Sequence, residues 1–312
     1  MTLAYSSDVV PERWLAFELS VLRRLKFSSV AIPFAAETDL AAHLKRWGAR
    51  VVTSDVARWA WIESLARVEN SGEQLTAQEV EVVLEDAYVP GHRLRNAALR
   101  RWFTETDAWW FDNVRANADR LDSPIKRALA LTIGMAVGDY ALSFDEATRE
   151  LRQPLSRVYR RLWEIQPPPF NNHQNNVSAN QPAREFIAEQ HTDLLFLRLP
   201  QARRERAAGS PRWAWREEWV RGENNFWAEM EKSQAGRLGA PVGTKQQYLR
   251  LVQELLEAAL HLPAWAIAHV ENGFVATDEL VETVRRVRKV GNIYTKDFSE
   301  LTGARASIIT TI

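Results

Sequence analysis

The densest concentration of chemistry in this sequence is an arginine-rich stretch interleaved with tryptophan. Arg198, Arg203, Arg204, Arg206, Arg212 and Arg216 share it with Trp213, Trp215 and Trp219. Guanidinium groups pair with phosphates and indoles stack on bases, so these residue types together can form a nucleic-acid surface. An internal alternative stands beside that reading, because Glu205, Glu217, Glu218 and Glu223 lie in the same stretch and can neutralise the arginines on a solvated helix. A second candidate is Asp55, an acid at the end of a β-branched run, where a carboxylate caps a turn. A third is the Asn171, Asn172, His173, Asn175, Asn176 cluster, which offers either a polar site or simply a loop.

Other chemistries lack their residues. With no cysteine there are no thiolate nucleophiles, disulfides, iron–sulfur clusters or Cys-ligated zinc. The six histidines show no HExxH or comparable ligand spacing, which argues against a zinc site. Neither a phosphate-binding P-loop nor a GxSxG nucleophile elbow is present.

The elements that must position these residues follow an α/β rhythm at both ends of the chain. PERWLAFELSVLRRLKF has helical spacing; SSVAIPF is a short apolar run; AAETDLAAHLKRWG is a helix closed by Gly48; and ARVVTSDV is a second strand ending at Asp55. Together they predict a βαβ start and a parallel sheet. From about Leu65 to Ile165 the signal is almost entirely helical, with starts at Thr76, Thr104, Pro124 and Ser143. The polar run from Pro167 to Gln181 reads as a loop, PAREFIAEQ as a helix and TDLLFLRLP as a strand. Gln201 to Gly243 is the least regular segment. Beyond it, KQQYLRLVQELLEAAL and ATDELVETVRRVRKV read as helices, with AWAIAHVE and ASIITTI as strands. Trp109, Trp110 and Phe111 are consecutive and cannot share one helix face, so at least one ring is expected at the surface or an interface.

The chain has 312 residues, 46% of them hydrophobic, with 40 basic and 40 acidic side chains. That length, at about 150 residues per domain, allows one large domain or two moderate ones. A balanced charge excludes a globally basic nucleic-acid binder but leaves local patches open. The start, MTLAYSSDVVPERW, lacks the basic and apolar regions of a signal peptide, and no stretch approaches the apolar length of a membrane span, so a cytoplasmic, non-membrane protein is expected.

Four segments, in order, resemble the Dam-like class of adenine-specific DNA methyltransferases. IPFAAETDLAAHLKRWGARVVTSDV is similar to that family's DPFAGSG motif with its helix and next strand end. RRWFTETDAWWFDNVRANADRLDSPIKRALAL resembles its FT, D, IR, I phrase before a helix, and VSANQPAREFIAEQHTDLLFLRLPQA its N, DA, EF phrase leading into DPPY. LLEAALHLPAWAIAHVENGFVATDELVETV resembles the helix, strand and helix after that motif. The resemblance implies an α/β fold with a methyltransferase-like (Rossmann-like) central sheet, formed by 1–65 and 167–312, with an inserted helical subdomain at 66–166. It also implies cofactor positions at Phe34, Ala35 and Asp55, the last accepting ribose hydroxyls.

The departures from the family pattern are chemical. Ala35, Ala36, Glu37 and Thr38 fill the glycine-rich turn, where added Cβ atoms and a carboxylate oppose the approach of S-adenosylmethionine. Ile32 and Pro182 match two family acids, and Arg198, Leu199, Pro200 and Gln201 stand where the family has DPPY. An arginine accepts no amino proton and sets positive charge beside a sulfonium. The resemblance with these departures implies a catalytically inactive homologue without cofactor, binding DNA through Arg203, Arg204, Trp213, Trp215 and Arg216, or binding a protein partner such as an active homologue. The alternative is an active S-adenosylmethionine-dependent DNA methyltransferase with a rearranged site.

Overall fold

A computed structural model describes residues 14–88, 93–201, 213–271, 274–298 and 304–312. In chain order the α/β part begins with helix α1 (Trp14–Leu22), strand β1 (Ser29–Pro33), helix α2 (Asp39–Arg46), strand β2 (Arg50–Ser54) and helix α3 (Arg58–Ser64). Helices α4 (Ala77–Leu84), α5 (Glu105–Ala118), α6 (Pro124–Leu142) and α7 (Leu155–Glu164) come next. They are followed by β3 (Val177–Ala179), α8 (Ala183–Glu189), β4 (Leu194–Arg198), α9 (Ala214–Arg221), α10 (Trp227–Gln234) and α11 (Lys245–Ala258). The last elements are β5 (Ala264–Glu271), α12 (Thr277–Arg285), β6 (Val290–Phe298) and β7 (Ala304–Thr311). Among the described residues, no helix is long and apolar enough to cross a membrane.

Among the described residues seven strands form one sheet in the order β3-β2-β1-β4-β5-β7-β6. Strands β3, β2, β1, β4 and β5 pair in parallel, whereas β7 runs antiparallel to both β5 and β6. This is a Rossmann-like arrangement: the doubly wound order 3-2-1-4-5-6 with one reversed strand added between the fifth and sixth. The expected βαβ start is present, with Gly48 at φ 89° turning the chain from α2 into β2, a left-handed value that favours glycine. β1, β2 and β4 are buried along nearly their whole length, as befits parallel strands covered on both faces. Leu195, Leu197, Trp265 and Ile267 of the sheet pack with Val252, Leu255 and Leu256 of α11 and Leu280 and Val284 of α12 in one core cluster.

The chain divides into two compact units, 1–61 with 172–211 and 227–312, and 62–171 with 212–226. The sequence expectation of an inserted helical subdomain at 66–166 needs one correction: the helical unit also takes residues 212–226, assigned above to the α/β domain. Glycine explains why. On α6, a Cβ at Gly134 would lie 2.2 Å from the ring of Trp219, and one at Gly138 would lie 2.0 Å from the ring of Trp215. Two missing side chains, one helical turn apart, thus make the seats for the indoles of α9. Trp215 and Trp219 are 1% and 0% exposed, and Trp219 Nε1 donates to the Phe111 carbonyl at 2.7 Å.

The helix starts at Thr76, Thr104 and Pro124 are borne out. Thr76 and Glu79 form a reciprocal capping box, Thr104 accepts from the Asp107 amide, and Ser123 caps α6 with Pro124 at its first position, all standard ways to satisfy the free amides of a first turn. Ser143 starts no helix. Its hydroxyl donates to the Tyr140 carbonyl at the end of α6, and residues 144–148 form turns in which Asp145 and Thr148 bond each other. The polar segment 167–181 contains strand β3, whose short length and mixed burial conceal it. β6 also escaped sequence reading, because as an edge strand it is mostly exposed and carries polar residues throughout. Of the consecutive aromatics on α5, Trp110 and Phe111 are fully buried and Trp109 is half-buried.

Candidate functional site at the strand ends

The order of the parallel strands reverses between β1 and β4, and in open α/β sheets the crevice outside the C-terminal strand ends at such a reversal is where ligands bind. β1 ends in a turn in which Phe34 takes φ 58°, a left-handed conformation that costs a residue with a Cβ on the order of 1 kcal/mol and tends to cluster at functional sites. The Ala35 amide then donates to the Ser54 carbonyl at 3.1 Å, joining the ends of β1 and β2. Asp55 follows directly. It is 3% exposed; its Oδ1 accepts from the Ala57 amide at 2.8 Å, and its carbonyl accepts from Asn180 Nδ2 at 2.7 Å.

A cavity of about 410 Å³ opens here. It is lined by Phe34, Ser54 and Asp55 at the strand ends, Ala183 and Ala188 of α8, Leu251 and Leu255 of α11, and Gln234, Gly236, Arg237 and Leu238 of the segment between α10 and α11. Arg237 Nη1 and Glu185 Oε2 pair at 2.6 Å at its rim. Hydrogen bonding to Arg237 holds the Glu185 carboxyl below its ordinary range. Two of the three expected cofactor positions, Phe34 and Asp55, therefore meet at one cavity. Ala35 does not line it, being 2% exposed and tied to Ser54. One Asp55 oxygen caps a turn, as the simpler sequence reading has it, and the residue also lines the cavity.

The end of β4 is built differently. Arg198 Nε and Nη2 donate to the two carboxylate oxygens of Glu18 on α1, at 2.9 and 2.7 Å, and Nη1 donates to Glu37 at 3.0 Å. Glu18 is fully buried and the Arg198 side chain 12% exposed. Burial works against the guanidinium charge, but Glu18 and Glu37 outweigh it and hold its pKa above the ordinary value. Burial likewise pushes the Glu37 carboxyl up, with Arg198 opposing. Leu199 continues the sheet through its amide to the Ala268 carbonyl, and the Pro200 carbonyl accepts from buried Tyr248 at 2.8 Å. Gln201 is half-buried beyond it. Asp193, the nearest acid in sequence, lies at the opposite end of β4 and binds the amides of Ser28 and Ser29.

Among the described residues of the arginine–tryptophan stretch from Trp213 onward, the tryptophans are not presented as a stacking surface. Arg203 and Arg204 lie outside the described residues. Trp213 and Trp215 are 5% and 1% exposed, so neither indole is offered for stacking; seating these rings in a core removes far more apolar surface from water than leaving them out. Arg216 pairs with Glu63 and Asp139. Glu217 pairs with Arg221, while Glu218 receives the Trp102 indole and Arg101. The internal pairing weighed for this stretch is therefore corrected: among the described residues Glu217 and Arg221 pair within it, Arg216 and Glu218 take partners from outside it, and both glutamates are buried and not on a solvated face.

Sequence reasoning missed Glu18, Glu185 and Arg237. A signal for Glu18 existed: it is an acid on the apolar face of WLAFELSVL, where burial demands a partner. Glu185 and Arg237 carry no comparable signal, since both are charged residues in polar surroundings. No metal-ligating cluster occurs among the described residues. No protein-family model matches the chain, and no curated protein matches it.

Proposed function

We propose that this chain is a noncatalytic relative of the Dam-like adenine DNA methyltransferases, a binding protein that keeps a small-ligand cavity but does not transfer methyl groups. The observation that carries the reading is the Arg198–Glu18–Glu37 cluster. In the family the end of this strand accepts the protons of the adenine amino group. Here it holds a guanidinium, a group with donors only, whose donors are already directed at two carboxylates. A fixed cation there opposes both a methyl sulfonium and a nitrogen gaining positive charge.

The sheet order, with its reversal between β1 and β4, supports the methyltransferase-like reading of the fold. Asp55 at the end of β2 suits the hydroxyls of a ribose. The turn after β1 does not suit the remainder of S-adenosylmethionine, because Glu37 sets a carboxylate next to the start of α2, where a ligand carboxylate would seek the helix amides. The DNA-binding side of the proposal rests on Arg203 and Arg204, since the tryptophans of that stretch are buried.

Two measurements test this reading. Titration calorimetry with S-adenosylmethionine should give no micromolar affinity, which would be about −8 kcal/mol, and labelled methyl transfer to DNA should be absent. Transfer above background would establish the alternative, an active S-adenosylmethionine-dependent methyltransferase with a rearranged site, which the Asp55-lined cavity favours. DNA binding should weaken steeply with salt where phosphate contacts carry it; salt-insensitive or absent binding would leave a protein partner as the ligand of this chain.

A further inference from the structure

The segment that lines the cavity between α10 and α11 has the parts of a gate. Between α10 and α11 the chain makes two tight turns, the Arg237 amide donating to the Gln234 carbonyl and the Ala240 amide to the Arg237 carbonyl. Gly236 and Gly239 bracket this segment at φ 73° and 99°, values that side-chain-bearing residues rarely adopt. Around Gly236 a Cβ would meet no atom within 4 Å, so the glycine serves backbone conformation and not packing. Between the two glycines, Leu238 is 7% exposed and faces the cavity as part of the core cluster. Its neighbour Arg237, also a lining residue, pairs with Glu185 on α8. The segment is thus held by one apolar plug and one ion pair, and both partners of that pair remain substantially solvated, at 37% and 45% exposure.

We propose that residues 235–240 are a gate at the cavity, latched by Arg237 to Glu185 and swinging about Gly236 and Gly239, so that the cavity wall and Asp55 become more accessible to a ligand when the latch opens. The proposal rests on the reading of this cavity as a ligand site, and it holds whichever ligand that is. Opening withdraws Leu238 from the cavity wall, a local excursion well below the cost of unfolding the sheet.

The chain contains no cysteine, which makes a single introduced thiol a clean reporter of access. Leu255→Cys places that thiol on the buried cavity wall, where Leu255 is 4% exposed. Leu197→Cys places a control thiol in β4, away from the cavity lining. In the full chain, iodoacetamide should label the cavity thiol slowly. Glu185→Gln should raise that rate about threefold to fivefold, the scale of a solvated ion pair, and leave the control rate unchanged. Glu185→Arg should raise it further, and Glu185→Arg combined with Arg237→Glu should return it toward the starting value. An unchanged cavity rate in Glu185→Gln, failure of the reversed pair to restore protection, or equal acceleration at the control thiol would overturn the gate. Methyl transfer to DNA would overturn the noncatalytic reading while leaving the gate intact, so the two failures are distinguishable.

Discussion

The ends of β2 and β4 point to the same side of one sheet, with β1 alone between them, yet they have opposite fates. At the end of β2, Asp55 lines a cavity. At the end of β4, Arg198 is enclosed by Glu18 and Glu37, and its hydrogen-bonding capacity is directed into the protein. The difference teaches that a crevice at a strand-order reversal is an opportunity supplied by topology, which local side chains keep or close. The helical unit closes a site in a parallel way: the tryptophans of α9, chemically suited to stacking on a ligand, are seated instead in the glycine notches of α6.

The sharpest way to break the contrast is to remove the cation. Arg198→Met leaves buried Glu18 without its bidentate partner and should destabilise the α/β unit by about 3–5 kcal/mol in chemical denaturation. Replacing both members, Arg198→Met with Glu18→Leu, should recover most of that loss, because a well-packed apolar pair often equals or exceeds a buried ion pair. If the single and double variants are equally unstable, the cluster is not the closure described above. In the helical unit, Gly138→Ala should cost about 1–3 kcal/mol through overpacking against the Trp215 ring, read as a lowered unfolding midpoint. A neutral result there would mean that α9 is not held by the notch.

Asp55→Asn sharpens the contrast from the other side. The amide oxygen can still accept from the Ala57 amide, so stability should fall by only about 1 kcal/mol, the ordinary cost of a single substitution. Any ligand that the cavity takes through hydroxyl groups should lose roughly tenfold or more in affinity, by about 1.4 kcal/mol of lost charge-assisted bonding. Equal affinity in the variant would remove Asp55 from the site.

The smallest effect concerns pH. The folded-state pKa of Glu37 is raised above 4.5, chiefly by burial, so the folded protein keeps this proton to higher pH than the unfolded chain. Its contribution is complete below the unfolded value and is lost as pH rises through the folded one. Glu37→Gln should therefore flatten the fall in stability above about pH 4.5, measured as urea midpoint against pH. Asp193 works in the opposite sense. Hydrogen bonds from Ser28 and Ser29 lower its pKa, so its contribution is present above the unfolded value and lost on acidification.

Much of the scaffold was legible because local signals agreed with tertiary need. Gly48, the caps at Thr76 and Thr104, and Pro124 each mark an element by a backbone requirement that holds before packing begins. The strands hidden from sequence, β3 and β6, are short or exposed and therefore carry no buried apolar period. The candidate site divides along the same line. Phe34 and Asp55 were legible because a strand end fixes where they point. Glu18 approaches Arg198 across 180 residues of sequence, and no local pattern encodes such a meeting. The tryptophans of α9 misled because composition reports that a ring can stack, while only the distant glycines of α6 reveal that its place is already taken.

The strand order also sets a timetable. β6 precedes β7 in the chain, yet in the sheet β7 lies between β5 and β6 and makes all of the edge strand's ladder contacts. β6 and β7 pair antiparallel from Phe298 and Ala304 outward, so the two can zip as a local hairpin before β7 docks on β5. Until β7, the last of these strands, arrives the β5 edge is bare, the kind of exposed strand on which a folding intermediate captures a neighbouring chain.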